Sequence, residues 1–281
     1  MTRAKCRDSH IHMGHGGGGK AMHDLIADVF VAPLDNPLLA TLEDQARIPL
    51  ADLAAHGDRL AFCTDSYVVD PLFFPGGDIG TLAVSGTIND LAMGGARPLY
   101  LSCAVVLEEG FPVASLRRVV ASMARVAQQA GVSIVTGDTK VVERGAADKL
   151  FINTAGIGVV PKAVDLSARN ARPGDIVIVN GFLGDHGTAI LVARKQLDLQ
   201  ADVLSDCQPL ADLVRAMLAA CPGIRCLRDA TRGGVATVLN EFALASGVSI
   251  RIDESTLPLR EPVRGACEIL GLDPMYLANE G

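Results

Sequence analysis

Four aspartates beside small or hydroxyl-bearing neighbours are the side chains of this chain best suited to chemistry. They are Asp65, Asp90, Asp138 and Asp229. Three of them follow or lie near apolar runs typical of a strand end or a helix, so a fold could bring their carboxylates together. Gathered carboxylates repel one another and lose hydration, and a protein that gathers them usually supplies a cation. Because magnesium accepts carboxylate, water and phosphate oxygens, a magnesium-nucleotide site is the first hypothesis.

Each of these aspartates alone would be interpreted as a turn or capping residue that accepts local backbone hydrogen bonds. A shared cation site is favoured because all four lie beside Gly, Thr, Ser or Asn at the ends of predicted elements. Lys140, two residues beyond Asp138, suits a phosphate partner. Asp185 and His186 lie in a turn bounded by glycines and suit either acid–base chemistry or an ordinary turn, and the sequence leaves both interpretations open.

The glycine run from Gly16 to Gly19 is the second chemical feature. It is a poor dinucleotide fingerprint, because no strand precedes it, and it is no P-loop, because Lys20 is followed by Ala21. Four glycines nevertheless let backbone N–H groups approach phosphate oxygens, and a following helix would add a favourable dipole. A mobile amino-terminal arm is the alternative.

A histidine-rich segment precedes the glycines, with His10, His12 and His15 near Cys6. Their spacing matches no structural zinc pattern, so a solvated terminus is favoured over a metal site.

Composition sets the class of protein. The chain has 281 residues, 49% of them hydrophobic but only 4% aromatic, which predicts an aliphatic core large enough for two domains. A net charge of −7 without a basic cluster argues against a nucleic-acid surface. Seven cysteines without a CxxC pair favour a reducing cytoplasm. The absence of an apolar run of about 20 residues, and of a signal-peptide core, also indicates a soluble protein.

Hydrophobic periodicity predicts an α+β fold with two domains, each built from a sheet and helices. Strands are predicted over 60–64, 99–107, 132–136, 150–160, 176–179 and 248–252, and helices over 20–31, 80–96, 113–130, 188–197, 209–220, 234–246 and 261–271. The strands 60–64 and 132–136 would deliver Asp65 and Asp138 at their ends. The predicted division is a glycine-rich arm and short helix (1–35), an amino-terminal domain (36–162) and an incomplete carboxy-terminal domain (163–281).

The run Gly86–Pro98 resembles the helix signature of the PurM-like, or aminoimidazole ribonucleotide synthetase, superfamily. Further segments narrow the resemblance to the HypE family of [NiFe] hydrogenase maturation proteins. They are Thr64–Gly77, Gly137–Val142, Arg228–Gly234, His15–Gly19 and Ala278–Gly281. The resemblance extends over essentially the whole chain from about His15.

This resemblance implies a homodimer whose amino-terminal sheets pair, with ATP and Mg²⁺ in a cleft between domains. It also implies an enzyme, an ATP-dependent carbamoyl dehydratase. HypE-like proteins receive a carbamoyl group from HypF on a carboxy-terminal cysteine, and ATP activates the thiocarboxamide oxygen. Dehydration then yields a thiocyanate, whose cyanide passes to the iron carried by HypC and HypD.

The resemblance also assigns residues. Magnesium would be held by Asp65, Asp90 and Asp229, and the nucleotide contacted by Asp138, Thr139 and Lys140. Gly16, Gly17, Gly18 and Gly19 match the phosphate flap. Glu280 is the expected proton acceptor in dehydration, with Asp90 as the second catalytic residue.

Two departures keep alternatives open. The first is Lys20, at a position where the family often has a neutral residue. A lysine at this position makes the segment similar to that of selenophosphate synthetase. The chain stops at Gly281, within a motif after which HypE-like proteins continue, and its last cysteine is Cys267. We therefore expect this chain to bind Mg-ATP without carrying the carbamoyl group.

The alternatives are another PurM-like enzyme, such as selenophosphate synthetase or thiamine-phosphate kinase, or a non-catalytic dimeric scaffold for maturation partners.

Overall fold

The computed structural model describes residues 5–194 and 202–281, which form the predicted mixture of sheet and helices. The strands are β1 (Arg59–Tyr67), β2 (Phe73–Phe74), β3 (Gly77–Asp78), β4 (Arg97–Glu108), β5 (Ser133–Val142) and β6 (Leu150–Val160). The helices are α1 (Lys20–Leu25), α2 (Leu50–Ala54), α3 (Ile79–Met93), α4 (Val113–Gln129), α5 (Asp185–Ala193), α6 (Ala211–Ala220), α7 (Gly234–Ser246) and α8 (Glu261–Leu270). A π-helix over Ile26–Val31 continues α1.

Four strands form one sheet in the order β1-β6-β4-β5. The pairs β1–β6 and β6–β4 are antiparallel, whereas β4 and β5 are parallel and are joined by the crossover helix α4. The strands β1 and β5 are thus the two edges. They lie three strand spacings apart, roughly 14 Å.

The helices α3 and α4 cover one face of this sheet, and the core lies between them and the strands. Nearly every residue of α3 is buried. Its close approach depends on small residues, because a Cβ on Gly156 of β6 would lie 2.8 Å from the side chains of both Thr87 and Leu91. The opposite face, called here the open face, carries exposed Leu60 and Phe62 on β1.

The amino-terminal segment is packed where it is described, in contrast to the predicted arm. Ile11 is buried, its N–H donates to the carbonyl of Phe111 at 2.8 Å, and its carbonyl accepts from Gly110 at 2.8 Å. Hydrophobic periodicity did not indicate this contact. Ile11 nevertheless forms these two backbone hydrogen bonds with the turn between β4 and α4.

Two strands are longer than predicted. The strand β1 continues through Asp65 to Tyr67, and β5 continues through Asp138 to Val142. The prediction that these aspartates follow strand ends is therefore wrong. The apolar runs underestimated the strands because polar side chains alternate with buried ones toward the carboxyl end of each strand.

In residues 161–194 and 202–281, helices joined by irregular segments are the only regular secondary structure. The predicted strands 176–179 and 248–252 are wrong, since residues 161–194 and 202–281 contain no strand. Ile176 and Ile178 are more than four-fifths exposed. Apolar β-branched runs favour extended backbone, but a strand also requires a neighbouring strand to pair with. The helix predicted over 188–197 begins at Asp185, and residues 195–197 lie outside the described residues.

Within the described residues, no helix combines the length and apolar character that crossing a membrane requires.

Candidate functional site

The last turn of α3 carries Asp90. A carboxylate there faces the negative end of the helix dipole, which disfavours its charged form. Burial, followed by the nearby carboxylates of Asp229 and Asp65, raises the pKa of Asp90 to about 6. A cation would offset all three effects.

Asp65 reaches the same region from β1. The residues of β1 that alternate with Asp65 face α3, since the Cys63 thiol donates to the carbonyl of Thr87 at 3.6 Å and the Tyr67 hydroxyl lies 3.1 Å from the Thr87 hydroxyl. Asp65 therefore points to the face of the sheet on which Asp90 lies. One of its oxygens accepts the N–H of Ser66 at 2.8 Å.

Asp229 arrives from the second half of the chain, in the turn before α7. Gly233 and Gly234, with φ of 72° and 58°, shape that turn. A Cβ on Gly234 would lie 2.3 Å from the carbonyl of Met275, so only glycine lets the start of α7 pack against the segment leading to Glu280. Burial raises the pKa of Asp229 above its usual value, and Asp65 adds to the increase.

Glu280 is the fourth member of this group. Its pKa is raised to about 8, first by burial and then by the negative charges of nearby carboxylates, namely Asp206, Asp229, Asp65 and Asp90. Its backbone N–H donates to the Asp206 carboxylate at 3.0 Å. We name Asp65, Asp90, Asp229 and Glu280 the acid cluster. It gathers four half-buried carboxyl groups, and its donor set is the one that a hard divalent cation prefers.

The structure places Asp138 elsewhere, so the hypothesis that all four aspartates share one cation is wrong within this chain. Asp138 and Lys140 are exposed on the open face of the edge strand β5 and pair with each other at 3.0 Å. Thr139 between them is buried on the helix-covered face. Strand alternation separates these neighbours, and the width of the sheet separates Asp138 from Asp65.

The glycine run also lies at the β5 edge. Met13–Gly16 forms a 3-10 turn, and a Cβ on Gly16 would lie 3.1 Å from the Cβ of Val141. Gly17 to Gly19 then lead into α1, and a Cβ on Gly18 or Gly19 would meet nothing within 4 Å. The run is thus sterically open to a ligand, at the edge of the sheet opposite to the acid cluster.

The histidines form a hydrogen-bonded cluster of their own. Nδ1 of His15 accepts the N–H of His12 at 3.1 Å, and Nδ1 of His12 accepts the N–H of Gly14 at 3.2 Å. Both rings therefore carry their proton on Nε2, and these atoms lie 3.2 and 3.5 Å from Oδ2 of Asp8. Although Cys6, Asp8 and His15 are close enough to hold a metal ion, a metal would need the Nε2 lone pair. The tautomers favour a hydrogen-bonded cluster.

Asp185 and His186 begin α5 and are both buried. Asp185 pairs with Arg260 at 2.9 Å, and Nδ1 of His186 lies 2.9 Å from the Ser205 hydroxyl. Burial lowers the pKa of His186 to about 4. A neutral, enclosed imidazole fits the structural interpretation of this turn better than acid–base chemistry.

Sequence reasoning missed three residues of the site. Asp206 gave no signal, because the segment before α6 shows no motif. Asn89 and Asn279 did offer one, since each directly precedes a member of the acid cluster. A cavity of about 600 Å³ lies away from this site, between the end of β4 and the start of β2, and none of the predicted site residues lines it.

Comparisons with known proteins identify the class of protein. Residues 43–160 match the AIR synthase related protein, N-terminal domain, and residues 172–281 match the corresponding C-terminal domain. Fold and sequence thus define a two-domain AIR synthase-related protein, in the PurM-like superfamily.

Full-length relatives narrow the class. A carbamoyl dehydratase HypE from Rhodobacter capsulatus is 59% identical over 275 residues, which cover 98% of this chain and 80% of that protein. A crystal structure of the hydrogenase maturation protein HypE in complex with ATP is 54% identical with a TM-score of 0.91, and the match covers 96% of this chain and 78% of that one. A HypE–HypF complex contains a chain 49% identical with a TM-score of 0.77, over 91% of this chain and 81% of that one. The chain belongs to the HypE family of carbamoyl dehydratases.

Proposed function

We propose that this chain catalyses the ATP-dependent dehydration of a protein-bound S-carboxamide to a thiocyanate, which supplies cyanide ligands for the iron of [NiFe] hydrogenase. The observation that carries the proposal is the acid cluster, in which four segments distant in the sequence bring half-buried carboxylates together. Gathering these carboxylates costs free energy through desolvation and mutual repulsion, and a bound cation offsets that cost. Carboxylates perturbed in this way are typical of functional sites.

Asp65, Asp90 and Asp229 fit a divalent cation, because their oxygens are the ligands that Mg²⁺ takes beside phosphate and water. Bound Mg²⁺ would neutralise charge on a transferring phosphoryl group. The three carboxylates would fix the position of the cation relative to the phosphoryl group. Asp90 would act in catalysis through its contact with the cation.

The nucleotide phosphates would lie against the glycine run Gly16 to Gly19, with Lys140, Asp138 and Thr139 as further contacts on β5. These residues lie at the sheet edge opposite to the acid cluster. One triphosphate cannot bridge a separation of roughly 14 Å or more between β1 and β5. In a homodimer, the β5 edge of one copy would lie beside the acid cluster of the other copy. The glycine run and the acid cluster could then contact the same triphosphate.

The open face supports this homodimer. Leu60 and Phe62 are 62% and 68% exposed on β1, although both are large and apolar. Exposed apolar side chains on a sheet face are typical of an interaction surface. Pairing two sheets through this face would bury them.

Glu280 is the proposed proton acceptor. Phosphorylation turns the carboxamide oxygen into a leaving group, so that loss of phosphate and of the nitrogen protons converts C–NH₂ to C≡N. A base must be ionised to accept these protons, and the pKa of about 8 leaves Glu280 largely protonated near neutral pH. Positive charge nearby favours the carboxylate, so cation binding would also prepare the base.

The remaining assignments follow from the family. A HypF-like carbamoyltransferase would supply the carbamoyl group, a HypC–HypD complex would receive the cyanide, and the reaction would take place in the cytoplasm. The division into 1–35, 36–162 and 163–281 stays a prediction.

The test supplies the substrate group in trans. The chain is incubated with Mg-ATP and a synthetic peptide that ends in S-carbamoylcysteine, and mass spectrometry follows the peptide while ADP is quantified. The proposal expects a peptide lighter by one water and ADP formed in step with it. Absence of both would overturn it. Turnover of thiamine phosphate or selenide would favour another PurM-like enzyme, and absence of Mg-ATP binding in equilibrium dialysis would favour the scaffold.

A further inference from the structure

Two buried asparagines directly precede two members of the acid cluster, namely Asn89 before Asp90 and Asn279 before Glu280. Their relative exposures are only 2% and 6%. An amide withdrawn from water is costly unless each of its polar atoms finds a partner. The partners of these two amides show which segments they join.

Asn89 joins the last turn of α3 to two irregular segments. Its Nδ2 donates to the carbonyl of Gln208 at 3.0 Å and approaches that of Glu280 at 3.5 Å. Its Oδ1 accepts the N–H of Leu210 at 2.7 Å. The N–H of Gln208 closes the arrangement by donating to the carbonyl of Glu280 at 3.3 Å. The backbone of Glu280 is thus fixed relative to the helix that carries Asp90.

Asn279 makes the complementary connection. Its Nδ2 donates to the carbonyl of Ala230 at 3.1 Å, and its own N–H donates to the same carbonyl at 3.0 Å. Its Oδ1 accepts the N–H of Gly184 at 2.7 Å. Ala230 directly follows Asp229, so this amide fixes Glu280 relative to the third metal-binding candidate.

We propose that Asn89 and Asn279 are positioning residues that set the place of the Glu280 carboxylate against Asp90 and Asp229 during dehydration. This inference rests on the proposed function of Glu280. The helix α3 is held by buried packing along its length, whereas Glu280 lies in a segment without helix or strand. When an amide is removed, Glu280 is therefore the partner that moves. A base displaced by about 1 Å loses much of its rate advantage, because proton transfer requires hydrogen-bond reach.

A double-mutant cycle separates positioning from general support of the fold. Asn89→Ala and Asn279→Ala are each made in the wild-type chain and in Glu280→Gln, and dehydration of the S-carbamoylcysteine peptide is followed at saturating Mg-ATP. We expect kcat to fall at least about tenfold in the wild-type background. We expect no further fall in Glu280→Gln, where the positioned base is already gone. The KM for ATP should stay within about twofold, because the cation ligands keep their places.

The control is Asn240→Ala. Asn240 is exposed on α7, where its Nδ2 donates to the carbonyl of Ala236 at 2.9 Å, and its loss should leave both backgrounds unchanged. If an alanine variant fails to fold, as judged by thermal unfolding, the serine variant at the same position enters the cycle.

The outcomes distinguish the two proposals. No turnover of the peptide by the wild-type chain overturns the proposed function and this inference with it. A wild-type rate for Glu280→Gln leaves the dehydration standing but removes Glu280 as its base, and so overturns this inference. A slow Glu280→Gln combined with wild-type rates for the asparagine variants overturns the positioning alone. A further fall of kcat in Glu280→Gln, or a rise in the KM for ATP, would assign the amides to general support of the site.

Discussion

Gly86 of α3 and Tyr67 of β1 are in such close contact that a Cβ on Gly86 would lie 2.4 Å from the tyrosine hydroxyl and 3.1 Å from its ring carbon Cζ. The Tyr67 hydroxyl also lies 3.1 Å from that of Thr87, which in turn lies 2.5 Å from that of Thr154. This contact sets the distance between β1 and α3. It therefore sets how closely Asp65 and Asp90 can approach each other.

Gly86→Ala should destabilise the protein although alanine is the better helix former. The tyrosine ring must move and its hydrogen bond to Thr87 must distort, and overpacking of this kind costs about 1–3 kcal/mol. Gly265→Ala is the matched control, because Gly265 lies within α8 and a Cβ there meets nothing within 4 Å. That change should stabilise by about 0.5–1 kcal/mol. Urea unfolding measures both, and equal effects of the two substitutions would contradict the close approach.

Asp90→Asn should abolish the stabilisation of the fold by Mg-ATP. Because the substitution removes one of several half-buried carboxyl groups that repel one another when ionised, the free energy of unfolding of the ligand-free protein should stay unchanged or rise. Mg-ATP at 100 times its Kd stabilises the wild-type fold by about 2.7 kcal/mol, and this increment should be lost. Thermal unfolding with and without Mg-ATP measures it. Asp52→Asn, on exposed α2, is the control, and a retained increment in Asp90→Asn would remove Asp90 from the cation site.

Helix α4 could be predicted from sequence because its apolar positions recur at helical spacing, whereas α3, which carries Asp90, was indicated by its many small residues and is buried on nearly every side. The segment 113–130 is confirmed as α4 (Val113–Gln129). The convergence of Asp65, Asp90 and Asp229 depends on α3 crossing β1 and on Gly234 admitting the segment before Glu280. Such tertiary contacts leave no periodic signal. The small and hydroxyl-bearing neighbours singled out these three aspartates together with Asp138, and only the motif resemblance separated Asp138 from the candidate metal ligands.

The remaining failures share one physical cause. Ile176 and Ile178 have the composition of a strand, but pairing decides whether extended backbone becomes one. Ile11 has only Met13 as an apolar neighbour at strand or helix spacing, yet two backbone hydrogen bonds hold it in place. Asn89 and Asp206 act through contacts with residues more than 70 positions away. Sequence patterns report local preferences, and these features are set by partners distant in the chain.

Phe62→Glu should convert a dimer into a monomer. Phe62 is 68% exposed on the open face, and a buried carboxylate facing a second sheet would lack a partner. Light scattering coupled to size-exclusion chromatography measures the mass, and Mg-ATP hydrolysis should fall with dimer loss if the glycine run acts across the interface. Leu244→Glu is the control, since Leu244 is 84% exposed on α7. A wild-type chain that is monomeric at all concentrations would contradict the dimer.

His186 should make the fold less stable as the pH falls. Burial lowers its pKa to about 4 in the folded protein, whereas an unfolded histidine has a pKa of about 6.5. The unfolded state therefore binds the proton first, and stability is lost as the pH drops from about 6.5 towards 4. From pH 7 to pH 5 the loss attributable to this group is about 2 kcal/mol.

The buried acids oppose this trend, so the prediction concerns the difference between variants. The pKa values of Asp90 and Asp206 are raised to about 6 and that of Glu280 to about 8, so that these groups bind protons more readily in the folded state and favour it as the pH falls. Urea unfolding at pH 7 and pH 5 should show a smaller loss, or a larger gain, in His186→Gln than in the wild type. His23→Gln, at an exposed position of α1, should follow the wild type. Identical pH dependence in all three proteins would show that His186 is not buried as a neutral imidazole.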